Sequence, residues 1–251
     1  EWLPARAWKE LNYIKGFCEN ITVSVGLPLR IDNVTYNGAC VISNKKILGI
    51  TLKQNLARDG VHYEPRWFNA WPPDMVSEII RDDVKIPIGD LIYTADAIQF
   101  GFEICEDAWQ KSKRPAYRLA DRKVDLILNP SASHFAMGKS QLREQEVVAD
   151  GSNIFQCAYI FSNLLGNEVG RMIYDGDIII GQNGKIVAVN KRLSFHRFKV
   201  LAVDVDFKNP SKTESVPSTD NKDRNEELTQ AVALGLYDYL RKSKARGFVV
   251  S

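Results

Sequence analysis

The chain has 251 residues, 45% hydrophobic and 25% charged, with 33 Lys and Arg against 31 Asp and Glu for a net charge of +2. That composition belongs to a globular chain with a full core, and the length suits one large domain or one domain plus part of another. No basic stripe with interleaved aromatics marks it as a nucleic-acid binder, and no apolar run approaches the roughly 20 residues of a membrane helix. Four cysteines (Cys18, Cys40, Cys105, Cys157) show no short pairing or metal-ligand spacing, and there are only three histidines, so no zinc site is expected. Reduced thiols and a cytoplasmic location are the natural reading. The first residues already lie inside a helical pattern and the last ones read as a strand just beginning, so both ends are expected to be cut.

Trp2, Ala5, Trp8, Leu11 and Ile14 recur at helical spacing, which predicts a helix over 2–17 with that stripe inward. Ile21–Val25 reads as a strand and Gly26-Leu27-Pro28 as a turn. Val34–Ser43 and Lys46–Leu52 form a hairpin around Asn44 and Lys45, and a polar and aromatic loop follows from Lys53 to Trp71. Leu91–Ala95 and Ala97–Ile104 make a second strand pair. Arg114–Arg122 is a predicted helix, Val124–Asn129 a strand, Lys139–Phe155 a longer helix and Ala158–Asn163 a strand. Asp177–Gly181 and Lys185–Asn190 flank Asn183-Gly184, a strong hairpin signal, and Val200–Val205 alternates as one more strand. The polar stretch 208–224 reads as a linker. Beyond it Leu228, Val232, Leu236, Tyr239 and Leu240 mark an amphipathic helix, Glu226–Ala245, capped near Asn225 and followed by a strand at Phe248. Alternating strands and helices predict an α/β fold, with the helix and strand after the linker belonging to a following domain.

The stretch from Gln99 to Trp109 carries the chemistry. Ile98, Phe100, Phe102 and Ile104 alternate as one face of a buried strand, and Glu106, Asp107 and Ala108 read as the first turn of a helix. Cys105 sits at the junction, where a helix N-terminus favours a thiolate nucleophile; the alternative is a buried small hydrophobe. A thiolate that cleaves a carbon–nitrogen bond needs a proton carrier and an oxyanion stabiliser, and His62, His134 and His196 lie in no obvious context for that work. A carboxylate with a neighbouring lysine is the other solution. Lys53, at the end of the strand Ile47–Leu52, is the candidate lysine, or else a solvated strand-end residue. Glu64 lies further along the loop among aromatics, paired with Arg66 or orienting Lys53.

Glu103-Ile104-Cys105-Glu106-Asp107-Ala108-Trp109 resembles the nucleophile motif of the nitrilase (carbon–nitrogen hydrolase) superfamily, in the form found in the glutaminase domain of glutamine-dependent NAD synthetases. The loop from Lys53-Gln54-Asn55 to Tyr63-Glu64-Pro65-Arg66-Trp67-Phe68 resembles that family's lysine loop. Asn129-Pro130-Ser131-Ala132-Ser133, with Lys139 beyond it, and Tyr174-Asp175-Gly176 resemble further parts of the same site. The likeness runs from about residue 1 to about residue 207. It implies a nitrilase-like α-β-β-α sandwich glutaminase domain over 1–207, a linker over 208–224 and the first helix and strand of an ATP-pyrophosphatase synthetase domain over 225–251.

The resemblance also implies roles. Cys105 is the nucleophile on the glutamine side-chain amide, and Lys53 stabilises the oxyanion with the backbone N–H after the cysteine. Glu64 orients Lys53, and Glu103 is structural. Glu106, Ser133 and Lys139 hold the substrate's α-amino and α-carboxylate groups, a charge pattern suited to a zwitterion. Tyr174 and Asp59 join the substrate-binding set; Asp59 stands where some bacterial members carry a tyrosine. Trp109 and Phe135 line the pocket or pack in the core, and Ser131 and Ser133 are otherwise loop caps. The general-base glutamate is expected upstream of Glu1. ATP, Mg and deamido-NAD belong to the synthetase domain, reached by ammonia through a tunnel, and a homo-oligomer, an octamer by resemblance, is expected. A stand-alone amidase for another small amide and a non-catalytic scaffold of the same fold are the rival readings.

Overall fold

The computed structural model describes residues 2–58, 60–168, 172–215 and 223–249. The backbone forms two units, Glu1–Pro130 and Ser131–Ser251.

In the first unit α1 (Trp2–Lys15) precedes strands β1 (Thr22–Ile31), β2 (Val34–Ser43), β3 (Lys46–Leu52), β4 (Val76–Arg81) and β5 (Val84–Gly89), which form one sheet in the order β1-β2-β3-β5-β4. Its hairpins turn on residue pairs held at positive φ: Asp32 and Asn33, Asn44 and Lys45, Asp82 and Asp83. Two such residues in succession match the right-handed twist of the strands they join, and Asn and Asp tolerate that region best. Strands β6 (Tyr93–Ala95), β7 (Ile98–Phe102) and β8 (Leu126–Ser131) follow, with β7 antiparallel to β6 and parallel to β8.

Strand β2 is buried on both faces, so it reads as a continuous apolar run rather than an alternating one. Cys40 and Ile42 pack with Ile50, Leu52 and Leu11 of α1, whereas Ala39 and Val41 pack with Tyr93, Phe100 and Phe102. The helix, the five-stranded sheet and the β6–β8 strands are thus three successive layers of this unit.

Several expectations change here. Strand β1 does not stop at Gly26 but runs through Leu27 and Pro28 to Ile31; it is an edge strand, where a residue without an N–H costs no ladder bond. The α1 stripe is only partly inward: Leu11 is buried, Trp8 and Ile14 are half-buried, and Trp2 and Ala5 are exposed. The β4–β5 hairpin lies where no element was expected.

The second unit contains β9 (Ala158–Asn163), β10 (Leu165–Glu168), β11 (Met172–Asp175), β12 (Ile178–Gln182) and β13 (Lys185–Val189). Strand β12 pairs antiparallel with both β9 and β13, and β10 pairs with β11. Asn183 and Gly184 make the expected turn, both at positive φ. The expected helix 139–155 is three pieces: α3 (Lys139–Leu142), a wider π-type stretch Arg143–Ala149, and α4 (Asp150–Ile154). Val200–Val205 is not a strand; its alternation finds no ladder partner, and Val200 stays exposed.

The last helix, α5 (Arg224–Ser243), is capped near Asn225 as expected, by Asp223, whose side chain accepts from the N–H groups of Asn225 and Glu226. It turns Glu227, Ala231, Leu234, Gly235 and Asp238 inward against β10 and β11 and leaves Leu228, Val232, Leu236 and Tyr239 exposed. Phe248 and Val249 are not in a strand, and Val250 lies outside the described residues.

Candidate active site

Strand β7 delivers the chain to Cys105, which opens a single 3-10 turn, Cys105–Trp109, at φ 52. A β-carbon-bearing residue at positive φ is strained, and such strain is kept where a side chain must be aimed. The thiol is half-buried against the apolar cluster that includes Phe102 and Ile104. The expected helix dipole is replaced by this five-residue turn, too short for an aligned macrodipole, so any activation of the thiol falls to side chains and individual N–H groups.

Lys53 follows β3 and is 1% exposed, yet it carries the one amine of this loop that has been taken wholly out of water. Its Nζ lies 2.5 Å from Glu64 Oε2. The same Oε2 accepts from the Ala57 N–H at 2.7 Å, and Oε1 accepts from Asn37 Nδ2 at 3.2 Å. The Glu64 N–H in turn bonds the Ala57 carbonyl, closing the loop on itself. Glu64 is therefore aimed by three donors and aims Lys53.

Asp107 ties this loop to the cysteine turn. One oxygen accepts from the N–H and the side-chain amide of Asn55, at 2.7 and 2.9 Å, and the other accepts from the Ile104 N–H at 2.9 Å. Asn55 is two residues past Lys53, and Ile104 precedes Cys105. Burial pushes the Asp107 carboxyl up to about 7, against the pull of those three N–H groups and of Lys53. Sequence reasoning read Asp107 only as part of a first helical turn and gave Asn55 no role, although both lie inside the quoted motifs.

Glu103 is fully buried and bound by Arg114 at 2.7 and 3.2 Å and by the Ala116 N–H at 3.1 Å, holding the start of α2 (Ala116–Asp121) to the end of β7. Glu106 is half-buried and accepts from Gln110 Nε2 at 2.6 Å; Trp109 is half-buried as well. Asp59 lies outside the described residues. Burial raises the Cys40 thiol to about 12, and Cys18 and Cys157 are buried too. Cys105 is thus the one cysteine that is not buried. No group of His, Cys, Asp and Glu among the described residues is arranged to hold a metal ion.

The other expected residues lie in the second unit. Ser133 is buried just past β8, with its N–H donated to Asn163 Oδ1 and its carbonyl accepting from Asn163 Nδ2, both at 2.8 Å. Lys139 opens α3 and is half-buried; Tyr174 is buried on β11. Phe135 is half-buried and packs against a core cluster with Leu193, Ala231 and Leu234.

The fold is the nitrilase-like α/β class. A carbon–nitrogen hydrolase from Helicobacter pylori matches in fold, with a TM-score of 0.61 over 75% of this chain and 65% of its own at 16% identity. No protein-family model matches the chain. A glutamine-dependent NAD(+) synthetase from Drosophila melanogaster is 31% identical over 201 residues, 76% of this chain and 25% of its own length. The crystal structure of a glutamine-dependent NAD(+) synthetase from Cytophaga hutchinsonii is 41% identical with a TM-score of 0.86, covering 100% of this chain and 39% of that one. The chain is a homologue of the glutamine-dependent NAD(+) synthetases, and it spans only 25% and 39% of the length of these two relatives.

Proposed function

We propose that this chain is a glutaminase, the ammonia-producing part of a glutamine-dependent NAD synthetase. The observation that carries the reading is the joining of the strained Cys105 turn, through Asp107 and Asn55, to the loop that holds the buried Lys53–Glu64 pair. Cys105 Sγ adds to the side-chain carbonyl carbon of glutamine. The oxygen takes the developing negative charge, which Lys53 and the Glu106 N–H stabilise. Collapse of that adduct breaks the carbon–nitrogen bond and releases ammonia once the nitrogen is protonated. Water then adds to the thioester, expelling the thiol and giving glutamate.

The base that shuttles these protons is neither Glu64, committed to Lys53, nor Glu103, committed to Arg114. The reading keeps it with the family's glutamate upstream of α1. Glu106, Ser133 and Lys139 recognise the amino-acid end of the substrate, with Tyr174 and Asp59 in the same binding set. The ammonia passes by a tunnel to an ATP- and Mg-dependent synthetase domain that amidates deamido-NAD, in a cytoplasmic homo-oligomer of octamer type. No helix among the described residues is long and apolar enough to cross a membrane.

The test is mass spectrometry after incubation with 6-diazo-5-oxo-norleucine, a reactive glutamine mimic, beside Cys105→Ala. An adduct on Cys105 that glutamine suppresses supports the reading. An adduct blocked by other small amides but not by glutamine points to a different amidase, and no adduct on a folded protein points to a scaffold without chemistry.

A further inference from the structure

The second unit buries an unusual amount of charge behind Ser133. Arg143, the first residue of the π-type stretch, has no exposed surface. Its Nη1 donates to Asp175 Oδ2 at 2.6 Å and to Asp177 Oδ2 at 3.1 Å, while Nη2 donates to the carbonyls of Ser133 and His134 at 3.0 and 3.3 Å. Asn163, which grips the Ser133 peptide at both ends, also donates to Asp175 Oδ1 at 2.7 Å. Arg143 Nε and Asp177 Oδ1 are buried with no hydrogen-bond partner. An apolar cluster of the same volume would stabilise the fold as well or better, so a buried ionic network with orphaned atoms calls for a reason other than stability.

The network continues outward. Arg192 Nη1 lies 3.9 Å from Asp175 Oδ2 and 2.8 Å from Glu227 Oε1 in the first turn of α5. An apolar contact runs beside this polar one: Phe135, two residues past Ser133, packs in the cluster that contains Ala231 and Leu234 of α5. Further along, Asp238 accepts from the Asn167 N–H at 2.7 Å, over Gly166 at φ 116, where a β-carbon would stand 2.5 Å from the Asp238 carboxylate. Helix α5 is thus bound to the segment that carries Ser133 by a continuous chain of contacts, Glu227 to Arg192 to Asp175 to Arg143 to the Ser133 carbonyl.

We infer that Arg143 and Asp175 are positioning residues for Ser133, and that the Arg192–Glu227 pair lets α5 set how well the site recognises the amino-acid end of glutamine. The inference rests on the glutaminase reading for its substrate. Its physical content is that Glu227, which touches no reacting atom, fixes the peptide from which substrate affinity is built. Such a residue acts on substrate binding and leaves the cysteine chemistry alone.

The test uses the full-length protein, with the base that the proposed function places upstream of α1, and two variants, Glu227→Gln and the apolar pair Arg192→Met with Glu227→Leu. Glutamine hydrolysis, alkylation of Cys105 by iodoacetamide, thermal melting and amide hydrogen exchange are measured on each. The expected result is a KM for glutamine raised about fivefold or more, with kcat and the alkylation rate within about twofold. Faster exchange at the Ser133 and Phe135 amides, with β12 amides unchanged, accompanies it. The apolar pair regains melting temperature but keeps the high KM. The inference is overturned if KM returns with stability in the apolar pair, if KM and local exchange stay at wild-type values in Glu227→Gln, or if kcat and alkylation fall together with global melting. A wild-type protein that does not hydrolyse glutamine sinks the glutaminase reading instead. Local exchange at Ser133 and Phe135 then decides the linkage alone: loosened by Glu227→Gln it stands, unchanged it falls.

Discussion

Removing one partner of the Lys53–Glu64 pair is the sharpest perturbation the first unit offers. The ammonium and carboxylate are 2.5 Å apart, and their side chains are 1% and 18% exposed. At an effective dielectric of about 20, two unit charges at that distance attract by roughly 7 kcal/mol before desolvation is subtracted. Breaking such a buried pair from one side costs about 3–5 kcal/mol, because the remaining charge has neither water nor partner. Glu64→Gln leaves Lys53 in that state and is expected at the upper part of the range. Lys53→Met is milder, because Glu64 keeps its bonds from the Ala57 N–H and Asn37 and some contact with solvent. The double variant then costs clearly less than the sum, with a coupling energy of about 2 kcal/mol or more. Urea unfolding of the four proteins at pH 7 measures it, in low salt and in 1 M salt, and the coupling is expected to change little, since buried pairs escape screening. A coupling below about 0.5 kcal/mol, or one that salt abolishes, would mean the pair behaves as an exposed surface bridge, and the geometric account of Lys53 would be wrong. On activity, Lys53→Met is expected to cost about 100- to 1,000-fold in glutamine turnover as an oxyanion donor is lost.

Three further perturbations follow from the same geometry. Cys105→Gly is expected to abolish turnover while leaving the melting temperature unchanged or raised, since glycine relieves about 1 kcal/mol of strain at φ 52; a clear loss of stability would refute the strain argument. The raised Asp107 carboxyl makes the folded protein hold a proton that the unfolded chain releases above about pH 4. Its contribution to stability is therefore full below that pH and is lost as pH rises to about 7, a total of about 4 kcal/mol. Asp107→Asn should flatten the fall in urea midpoint between pH 4 and 7, and an unchanged slope would show that Asp107 does not titrate there. Gly89→Ala places a β-carbon 2.2 Å from the Met75 carbonyl at a backbone φ of 115; a loss of at least about 3 kcal/mol is expected by urea unfolding, and a loss under about 1 would contradict the packing.

The hairpins whose strands are buried were legible because pattern and turn agreed. β2 and β3 around Asn44, and β12 and β13 around Asn183-Gly184, fall within a residue or so of their expected bounds. The β4–β5 hairpin was not, for a physical reason. β4 is an edge strand with Ile80 exposed and only Ile79 buried, so it shows no clean two-residue period, and its turn is Asp82-Asp83 rather than a pair containing glycine. Val200–Val205 failed in the opposite sense: alternation is only half of a strand, and the other half is a neighbour to bond. The direction of α5 was hidden too. Four of its large apolar residues, Leu228, Val232, Leu236 and Tyr239, face outward with only Leu234 buried, while its small and acidic ones, Gly235 and Asp238, allow close approach to β10 and β11.

The candidate site divides along the same line. Cys105 and Lys53 are visible in a sequence because chemistry restricts which residue types can do their work, and a strand end marks where each sits. The residues that join them are ordinary ones. Nothing in the identity of Asn55 or Asp107 predicts that a carboxylate at one loop will take three N–H groups from two segments 52 and three residues away. A buried acceptor of that kind is specified by what must be satisfied once the chain has folded, because the Asn55 and Ile104 N–H groups have lost water and need a partner. The same holds for Asn163 and Arg143 behind Ser133. A nucleophile can therefore be read from residue type and spacing, whereas the groups that fix its geometry become readable only when the unpaired donors around it can be counted.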